Sequence, residues 1–348
     1  MHTERKQAHL DIVLQENVQA KGVTTGFERY FFDHVALPEL HLDQIDLGLT
    51  LWGRTLKAPF LISSMTGGTE SARAINLHLA EAAQALGVAM GVGSQRAALA
   101  AGQLSDTYQV RRVAPDILLF ANFGAVQLNE GYGLREAERA VGMIEADALI
   151  LHLNPLQEAV QPGGDCDWRG LYGRIEQLVR QLPVPVIVKE VGNGIGVGVA
   201  RRLVECGVSA VDVAGAGGTS WSEVEAHRQS DPLRKRVAHA FAGWGLPTAL
   251  AVETVCQALP GFPVFASGGI QDGVEAGKAL ALGAVLVGSA APLLGPATVT
   301  AAAVYEKFRA YQEELRVVCF CTGSQDLASL RRATLRRVAN WEVLRGSE

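Results

Sequence analysis

Leu149-Ile150-Leu151-His152-Leu153-Asn154-Pro155-Leu156-Gln157-Glu158 changes character halfway along. Its first half is almost wholly apolar, the pattern of a strand buried on both faces. Its second half carries Asn154, Gln157 and Glu158, and Pro155 stops the strand. His152 and Asn154 stand two apart, so on a strand they face the same way. Gln157 and Glu158 follow in the turn, within reach of the same space. A buried strand whose last residues turn polar delivers side chains to a site. The plainer reading is a strand end meeting solvent, and the rest of the chain decides between the two.

From Pro59 onward the same change recurs. Residues 60–62 are apolar and run into Ser63-Ser64-Met65-Thr66-Gly67-Gly68. Residues 88–92 run into Gly93-Ser94-Gln95-Arg96, and 117–120 into Ala121-Asn122-Phe123-Gly124. Further on, 186–188 meet Lys189-Glu190-Val191-Gly192, and 210–213 meet Ala214-Gly215-Ala216-Gly217-Gly218-Thr219. Residues 264–266 end in Ser267-Gly268-Gly269-Ile270, and 284–287 in Gly288-Ser289-Ala290. With 148–153 this makes eight short strands. Helical patterns separate them at 71–86, 134–144, 171–181, 197–206, 248–258 and 273–282. Gly87, Gly207 and Gly283 stand where helices end in a left-handed residue. Strands alternating with helices imply right-handed crossovers and a parallel sheet, and eight units imply a closed (β/α)8 TIM barrel. An open doubly wound sheet is the alternative, but no G-x-G-x-x-G follows the first strand. The polar and glycine-rich residues all follow strands, which is where a barrel keeps its chemistry. Pro59, Pro115, Pro185 and Pro263 mark the plainer strand starts. A long insertion follows the sixth strand and reads as a lid or binding loop. Two closing helices are expected at 297–315 and 325–344. The chain thus reads as a single domain, with an extension over 1–55 and the barrel over 56–348.

The bulk composition narrows the function. At 348 residues and 48% hydrophobic, the chain is long enough for one large core. A net charge of -5 with no long basic block argues against a nucleic-acid surface. The odd count of five cysteines, none in a C-x-x-C pair, argues against a disulfide framework or a metal cluster, so a reducing, cytoplasmic setting is expected. The first ten residues are too polar for a signal peptide. Residues 279–304 lack charge, but their glycines and prolines read as barrel structure, so no membrane partner is expected.

The strand ends supply the candidate chemistry. Ser267-Gly268-Gly269 and Gly288-Ser289-Ala290 follow strands seven and eight, the usual phosphate site of a barrel, though tight turns alone would also want glycine. Lys189 closes an apolar run, so it either points into the mouth or is buried at a cost. There it could form a Schiff base, pair with a carboxylate or sit against an anionic cofactor edge. Thr66, Ser94, Asn122 and Thr219 offer neutral hydrogen bonds. This combination suits flavin mononucleotide. Glu158, beside His152, Asn154 and Gln157, is the metal candidate, because Mg²⁺ takes one or two carboxylates together with phosphate oxygens and waters. Asp212 is a second carboxylate, placed mid-strand and read as structural. Arg5, Lys6, His9 and Arg96 are of the right type to grip a polyanion, although the first three by themselves read as a solvated tail.

The assembled motifs resemble the type 2, FMN-dependent isopentenyl-diphosphate isomerases. The matching segments, in chain order, are Arg5-Lys6-x-x-His9, Met65-Thr66-Gly67-Gly68, Gly93-Ser94-Gln95-Arg96, His152-x-Asn154-x-x-Gln157-Glu158, Lys189-Glu190-Val191-Gly192, the run from Ala214 to Trp221, and Ser267-Gly268-Gly269. Each is weak alone, and the ordered set is specific. The resemblance implies interconversion of isopentenyl and dimethylallyl diphosphate in isoprenoid biosynthesis, with reduced FMN, Mg²⁺ and NADPH as reductant, in a homotetramer or homo-octamer. By motif, Met65, Thr66, Gly67, Ser94, Asn122, Lys189, Thr219, Gly268, Gly269, Ser289 and Ala290 would hold FMN. Arg5, Lys6, His9, Ser94, Gln95, Arg96, His152, Asn154 and Gln157 would hold the substrate, and Glu158 the metal.

An unactivated alkene needs a strong acid, and no residue above is an obvious one. The expectation is therefore that reduced flavin moves the proton at N5, while His152, Gln157 and Trp221 assist. Gln157 would relay protons or orient the substrate. Trp221 would cover the hydrocarbon and face developing positive charge, or simply pack as a lid residue. Two other readings compete. An FMN-dependent 2-hydroxyacid oxidase wants a histidine base late in the chain, and none of the eight histidines follows strands seven or eight. A flavin-binding sensor or scaffold would have little use for so many converging polar tips.

Overall fold

The computed structural model describes residues 2–338. Eight parallel strands hydrogen-bond in sequence order and close on themselves. They are β1 (Phe60–Ile62), β2 (Ala89–Gly91), β3 (Leu119–Gly124), β4 (Ala148–His152), β5 (Val186–Lys189), β6 (Ala210–Asp212), β7 (Val264–Ala266) and β8 (Leu286–Ser289). Almost every strand residue is buried, because helices cover the outside and side chains fill the inside. One residue from each strand builds the interior layer: Leu61, Ala89, Phe120, Ile150, Ile187, Ala210, Phe265 and Leu286. The hairpin of Leu49–Leu51 and Arg54–Leu56 caps this layer. Its Trp52 ring lies 6.1 Å from both Phe120 and Phe265, which shuts the end where the strands begin. The opposite end is left for the site.

The covering helices follow the sequence pattern closely. An N-terminal helix α1 (His2–Gln15) precedes the barrel, and α2 (Glu70–Leu86), α3 (Leu134–Ile144), α4 (Leu171–Gln181) and α5 (Val197–Glu205) wrap its first half. The Thr69 hydroxyl caps α2 at its start, and Gly87 ends it with φ 66°. The insertion after β6 holds α6 (Trp221–Arg228) and α7 (Pro232–Ala240), and α8 (Thr248–Ala258) resumes the barrel. Next come α9 (Gly273–Ala281), α10 (Ala291–Val299) and α11 (Ala301–Cys321). Among the described residues no helix is long and apolar enough to cross a membrane, and all five cysteines are free thiols.

Two expectations at the closing end need correction. The helix expected over 297–315 is broken at Thr300, whose hydroxyl accepts from Ala303 N–H and starts α11 afresh. The helix expected over 325–344 is a single turn, Leu327–Leu330, followed by a strand, Leu335–Arg337. That strand pairs antiparallel with Tyr30–Phe32, and Arg336 grips Asp33 at 2.5 and 2.7 Å. A long-range edge partner thus overrides a local helical pattern. Residues 339–344 of that expected helix lie outside the described residues.

Helix α11 locks the first strand. Phe308 is fully buried, with ring centroids 5.3 Å from Phe60 and 5.4 Å from Tyr311. Phe308→Ala is expected to lower unfolding free energy by about 3–5 kcal/mol, read from urea unfolding followed by far-UV circular dichroism.

Candidate active site

Register places the polar strand ends at one height. Gly124 lies opposite His152, His152 opposite Lys189, and Lys189 opposite Asp212. Parallel neighbours at one level face the same side of the sheet, so the mouth carries an imidazole, an ammonium and a carboxylate side by side. Above them opens a cavity of about 570 Å³.

One side of the cavity is built from bare backbone. Gly268 and Gly269 have φ of 106° and 76°, and a Cβ on Gly268 would stand 2.2 Å from the carbonyl oxygen of Gly215. Glycine is required here by both conformation and space. Thr248 Oγ1 donates to the Gly268 carbonyl at 2.6 Å and fixes the turn. Helix α10 starts beside it, with Ala290 at its N-cap and no side-chain cap. Pro292 has no N–H and Leu293 N–H donates to the Ala290 carbonyl at 2.9 Å, so the Ala291 N–H is the one its first turn leaves for an anion. Ser63 and Ser64 contribute buried hydroxyls that have no protein partner. A ring system carrying polar edges and ending in a phosphate fits this donor set.

The row of three is electrostatically tight. Burial lowers the Lys189 ammonium below its usual range, while the nearby Asp212 and Glu190 oppose the shift. Its Nζ donates to the Glu190 carbonyl at 2.5 Å. Burial raises the Asp212 carboxyl, against the pull of Lys189. Asp212 Oδ1 accepts from Ser267 Oγ at 2.7 Å, whereas Oδ2 has no partner. Asp212 therefore ends its strand at the rim, where the sequence pattern had placed it mid-strand. Burial and the neighbouring cations Lys189, Lys6 and Arg96 push the His152 imidazole down to about 3, so it is neutral near pH 7. The Asn122 amide fixes its tautomer. Nδ2 of Asn122 donates to the Val92 carbonyl, leaving Oδ1 to accept from His152 Nδ1–H at 2.8 Å. His152 Nε2 is then a bare acceptor.

The opposite side is a polar network. Asn154 Nδ2 donates to Gln157 Oε1 at 3.0 Å and to Glu158 Oε1 at 2.9 Å, while its own Oδ1 is buried without a donor. Glu158 Oε2 accepts from the Asp165 N–H at 2.8 Å and from Gln161 Nε2. Gln157 Nε2 donates to Glu225 Oε1 at 3.1 Å. No group of three or more His, Cys, Asp or Glu side chains forms a metal cage among the described residues. A lone carboxylate beside a free amide oxygen does suit a hard cation completed by ligand oxygens and water.

The N-terminal residues roof the cavity instead of trailing in solvent. Lys6 Nζ donates to the Ser94 carbonyl at 2.7 Å and to Tyr108 Oη at 2.6 Å. His9 Nε2 lies 2.8 Å from Glu225 Oε1 and meets Trp221 edge-on at 5.3 Å. Arg96 bridges Asp165 at 2.7 Å and Glu130 at 2.8 Å. Arg5, Lys6, His9 and Arg96 all line the cavity.

Most of the expected site residues converge here. Met65, Thr66, Ser94, Asn122, His152, Asn154, Gln157, Glu158, Lys189, Thr219, Trp221, Gly268, Gly269, Ser289 and Ala290 are on the wall. Gln95 and Gly67 are not. Gln95 is fully buried and turned away, donating to the Ala140 carbonyl and accepting from the Asn122 N–H. Its polar side chain braces the neighbouring strand. Gly67 makes room for Tyr108, whose ring a Cβ there would meet at 2.0 Å. Ser63 was visible as a strand end but carried no motif. Tyr108 and Glu225 reach the site only through tertiary folding and left no local signal.

A closed barrel with a glycine cup after its seventh and eighth strands defines a phosphate-binding barrel protein. The pattern of the FMN-dependent dehydrogenase family matches residues 156–337. An isopentenyl-diphosphate delta-isomerase of Synechocystis sp. is 62% identical, with 95% of each chain covered. One of Stutzerimonas stutzeri is 60% identical, covering 96% of this chain and 97% of its own. The chain belongs to the FMN-dependent, type 2 family of isopentenyl-diphosphate delta-isomerases. Among solved structures, a mandelate oxidase mutant with an FMN adduct superposes with a TM-score of 0.61 at 18% identity, covering 95% of this chain and 92% of its own. A flavocytochrome b2 mutant with pyruvate bound gives 0.67 at 16%, covering 96% and 82%. At such identity the likeness speaks for the barrel alone.

Lys6 would make the binding of an anion in this cavity pH-dependent. Burial, then the charge of Arg5, lowers its ammonium to about 7. Above that pH the free side chain is neutral, and a bound multivalent anion restores the proton. Pyrophosphate affinity should therefore fall as pH rises above 7, and binding at pH 8 should take up protons. Calorimetric titration in buffers of different ionisation enthalpy measures that uptake, and Lys6→Met should remove this lysine's share of it.

Proposed function

We propose that this chain interconverts isopentenyl diphosphate and dimethylallyl diphosphate, with reduced FMN as the acid and base and Mg²⁺ on the diphosphate. The observation that carries this reading is one cavity joining the backbone cup to a cationic roof, with no strong protein acid on its wall. His152 is held neutral, and both Glu158 oxygens already accept hydrogen bonds. Bound in its reduced form, FMN supplies a proton donor and acceptor at N5.

The chain's own residues bind, orient and exclude water. Gly268, Gly269, Ser289 and Ala290 would take the FMN phosphate, and Lys189 the anionic edge of its ring. Arg5, Lys6 and His9 would clamp the substrate diphosphate, joined by Arg96, Ser94, His152 and Asn154. Glu158 and the free Asn154 oxygen would hold Mg²⁺ together with diphosphate oxygens. Binding energy gathered at the charged end then fixes the hydrocarbon for reaction. Trp221 presents an aromatic face to a tertiary cation-like state. Gln157, oriented by Glu225 and Asn154, orients the substrate or relays a proton. The names of the relatives support the substrate pair. NADPH as the reductant, a cytoplasmic setting, a homotetramer or homo-octamer, and residues 1–55 as a substrate-binding extension complete the reading.

Two experiments test it. Isomerisation should be lost when FMN is replaced by 5-deaza-FMN, which has carbon in place of N5. Full activity with that analogue removes the acid–base assignment. Glu158→Gln should keep FMN, lower turnover at least tenfold and shift the Mg²⁺ titration to higher concentration, and an unchanged titration rejects the metal assignment.

A further inference from the structure

Helix α6 carries two carboxylates that are both fully buried, Glu223 and Glu225. Two residues apart on a helix, they leave opposite sides. Glu225 lies behind the cavity wall and holds two residues of it, His9 and Gln157. Glu223 is not on the wall either, and its partners are not wall residues. Its Oε2 is 2.5 Å from Lys21 Nζ, and its Oε1 is 2.7 Å from His239 Nδ1 of α7. Both carboxylates are therefore satisfied by the same N-terminal arm, at residues 9 and 21.

Backbone pairing brings the arm to this place. Gln19 bridges Thr219, Ala20 N–H donates to the Gly218 carbonyl at 2.8 Å, and Ser220 N–H donates to the Val18 carbonyl at 2.8 Å. Gly217 is needed for this approach, since a Cβ there would stand 2.2 Å from the Thr25 nitrogen. Lys21 is the next residue after this ladder, and 57% of its side chain is exposed. Without Lys21, the buried Glu223 carboxylate keeps only its His239 contact, and its charge is left poorly compensated. Glu223 therefore favours the arrangement in which the arm lies down and α6 holds Trp221 over the cavity.

We propose that Glu223 is a positioning residue that, through its ion pair with Lys21, sets how much of the time the N-terminal arm is closed over the cavity. It deepens the function proposed above and rests on that reading for its kinetic part. Closure supplies Arg5, Lys6 and His9, so opening should weaken substrate binding and leave the chemical step in the closed complex alone. A closed fraction reduced to between a third and a tenth raises the apparent KM about three- to tenfold.

The test uses the FMN-loaded full chain and two variants. Lys21→Met removes the pair from the solvent side and spares the interior. Glu223→Gln removes the buried charge itself. Expected in both are a KM for isopentenyl diphosphate raised about three- to tenfold, a kcat within about twofold of wild type, and unchanged flavin absorbance. Without substrate, trypsin should cut after Lys6 several-fold faster, as read by mass, and saturating substrate should suppress the difference. Lys21→Arg should restore both values. Wild-type KM and wild-type cleavage in Lys21→Met overturn the proposal, whether or not Glu223→Gln folds. Cleavage needs no turnover, so a wild-type protein that fails to isomerise would sink the functional reading and leave the arm measurement intact.

Discussion

In a closed parallel sheet, the register of each strand against the next sets the height at which every side chain emerges. Here it sets His152, Lys189 and Asp212 at one level, at the floor of the mouth. Three such groups are tolerable only as a set. The ammonium offsets the carboxylate, and burial together with the cations keeps the imidazole neutral. The backbone bends to complete the arrangement. Ala214 takes a left-handed φ of 37° just after β6, while its N–H points at Asp212 Oδ1. A non-glycine residue in that conformation is strained, and the strain is held by the packed turn around it.

Desolvating the mouth also demands a roof. The insertion after β6 and the N-terminal arm provide it together, and neither does so alone. The arm lends His9 and Lys21 to two buried carboxylates of α6, and the loop before α6 lends backbone and the gap at Gly217 to the arm. Lys6 completes the seal from the other side by reaching the Ser94 carbonyl. Arg5, Lys6 and His9, which look like a solvated tail in isolation, become half-buried because each finds a polar acceptor in the folded chain.

The barrel was legible because its signal is local. An apolar run of three to five residues that turns polar at one end is a strand feeding a mouth, and every such run became a strand. The limits were displaced where the ladder continues into polar residues. Asn122 and Ser289 lie inside β3 and β8, paired with Ile150 and Ile62. Hydropathy alone does not register that pairing. Gln95 was misplaced for a similar reason. A polar residue after a strand can face the cavity or brace the next strand, and the local pattern is the same. The arm's role, the Tyr108 contact and the final strand all depend on partners about a hundred or more residues away. No window along the chain contains them.

The same barrel serves flavin enzymes whose solved structures share only 16–18% of this chain's residues. In this mouth, what decides the chemistry is where the basic nitrogen sits and in what state. A general base near pH 7 wants an imidazole of ordinary basicity, free to take a proton. The imidazole on β4 is starved of basicity by burial first and by three nearby cations second, and tied to Asn122 through its one N–H. β7 and β8 end instead in Ser267 and Ser289, whose hydroxyls donate to Asp212 and to the Ile270 carbonyl. A site arranged this way is poor at abstracting a proton from an alcohol-bearing carbon with a protein base. Its cations are gathered instead, with Arg5, Lys6, Arg96 and Lys189 all lining one cavity.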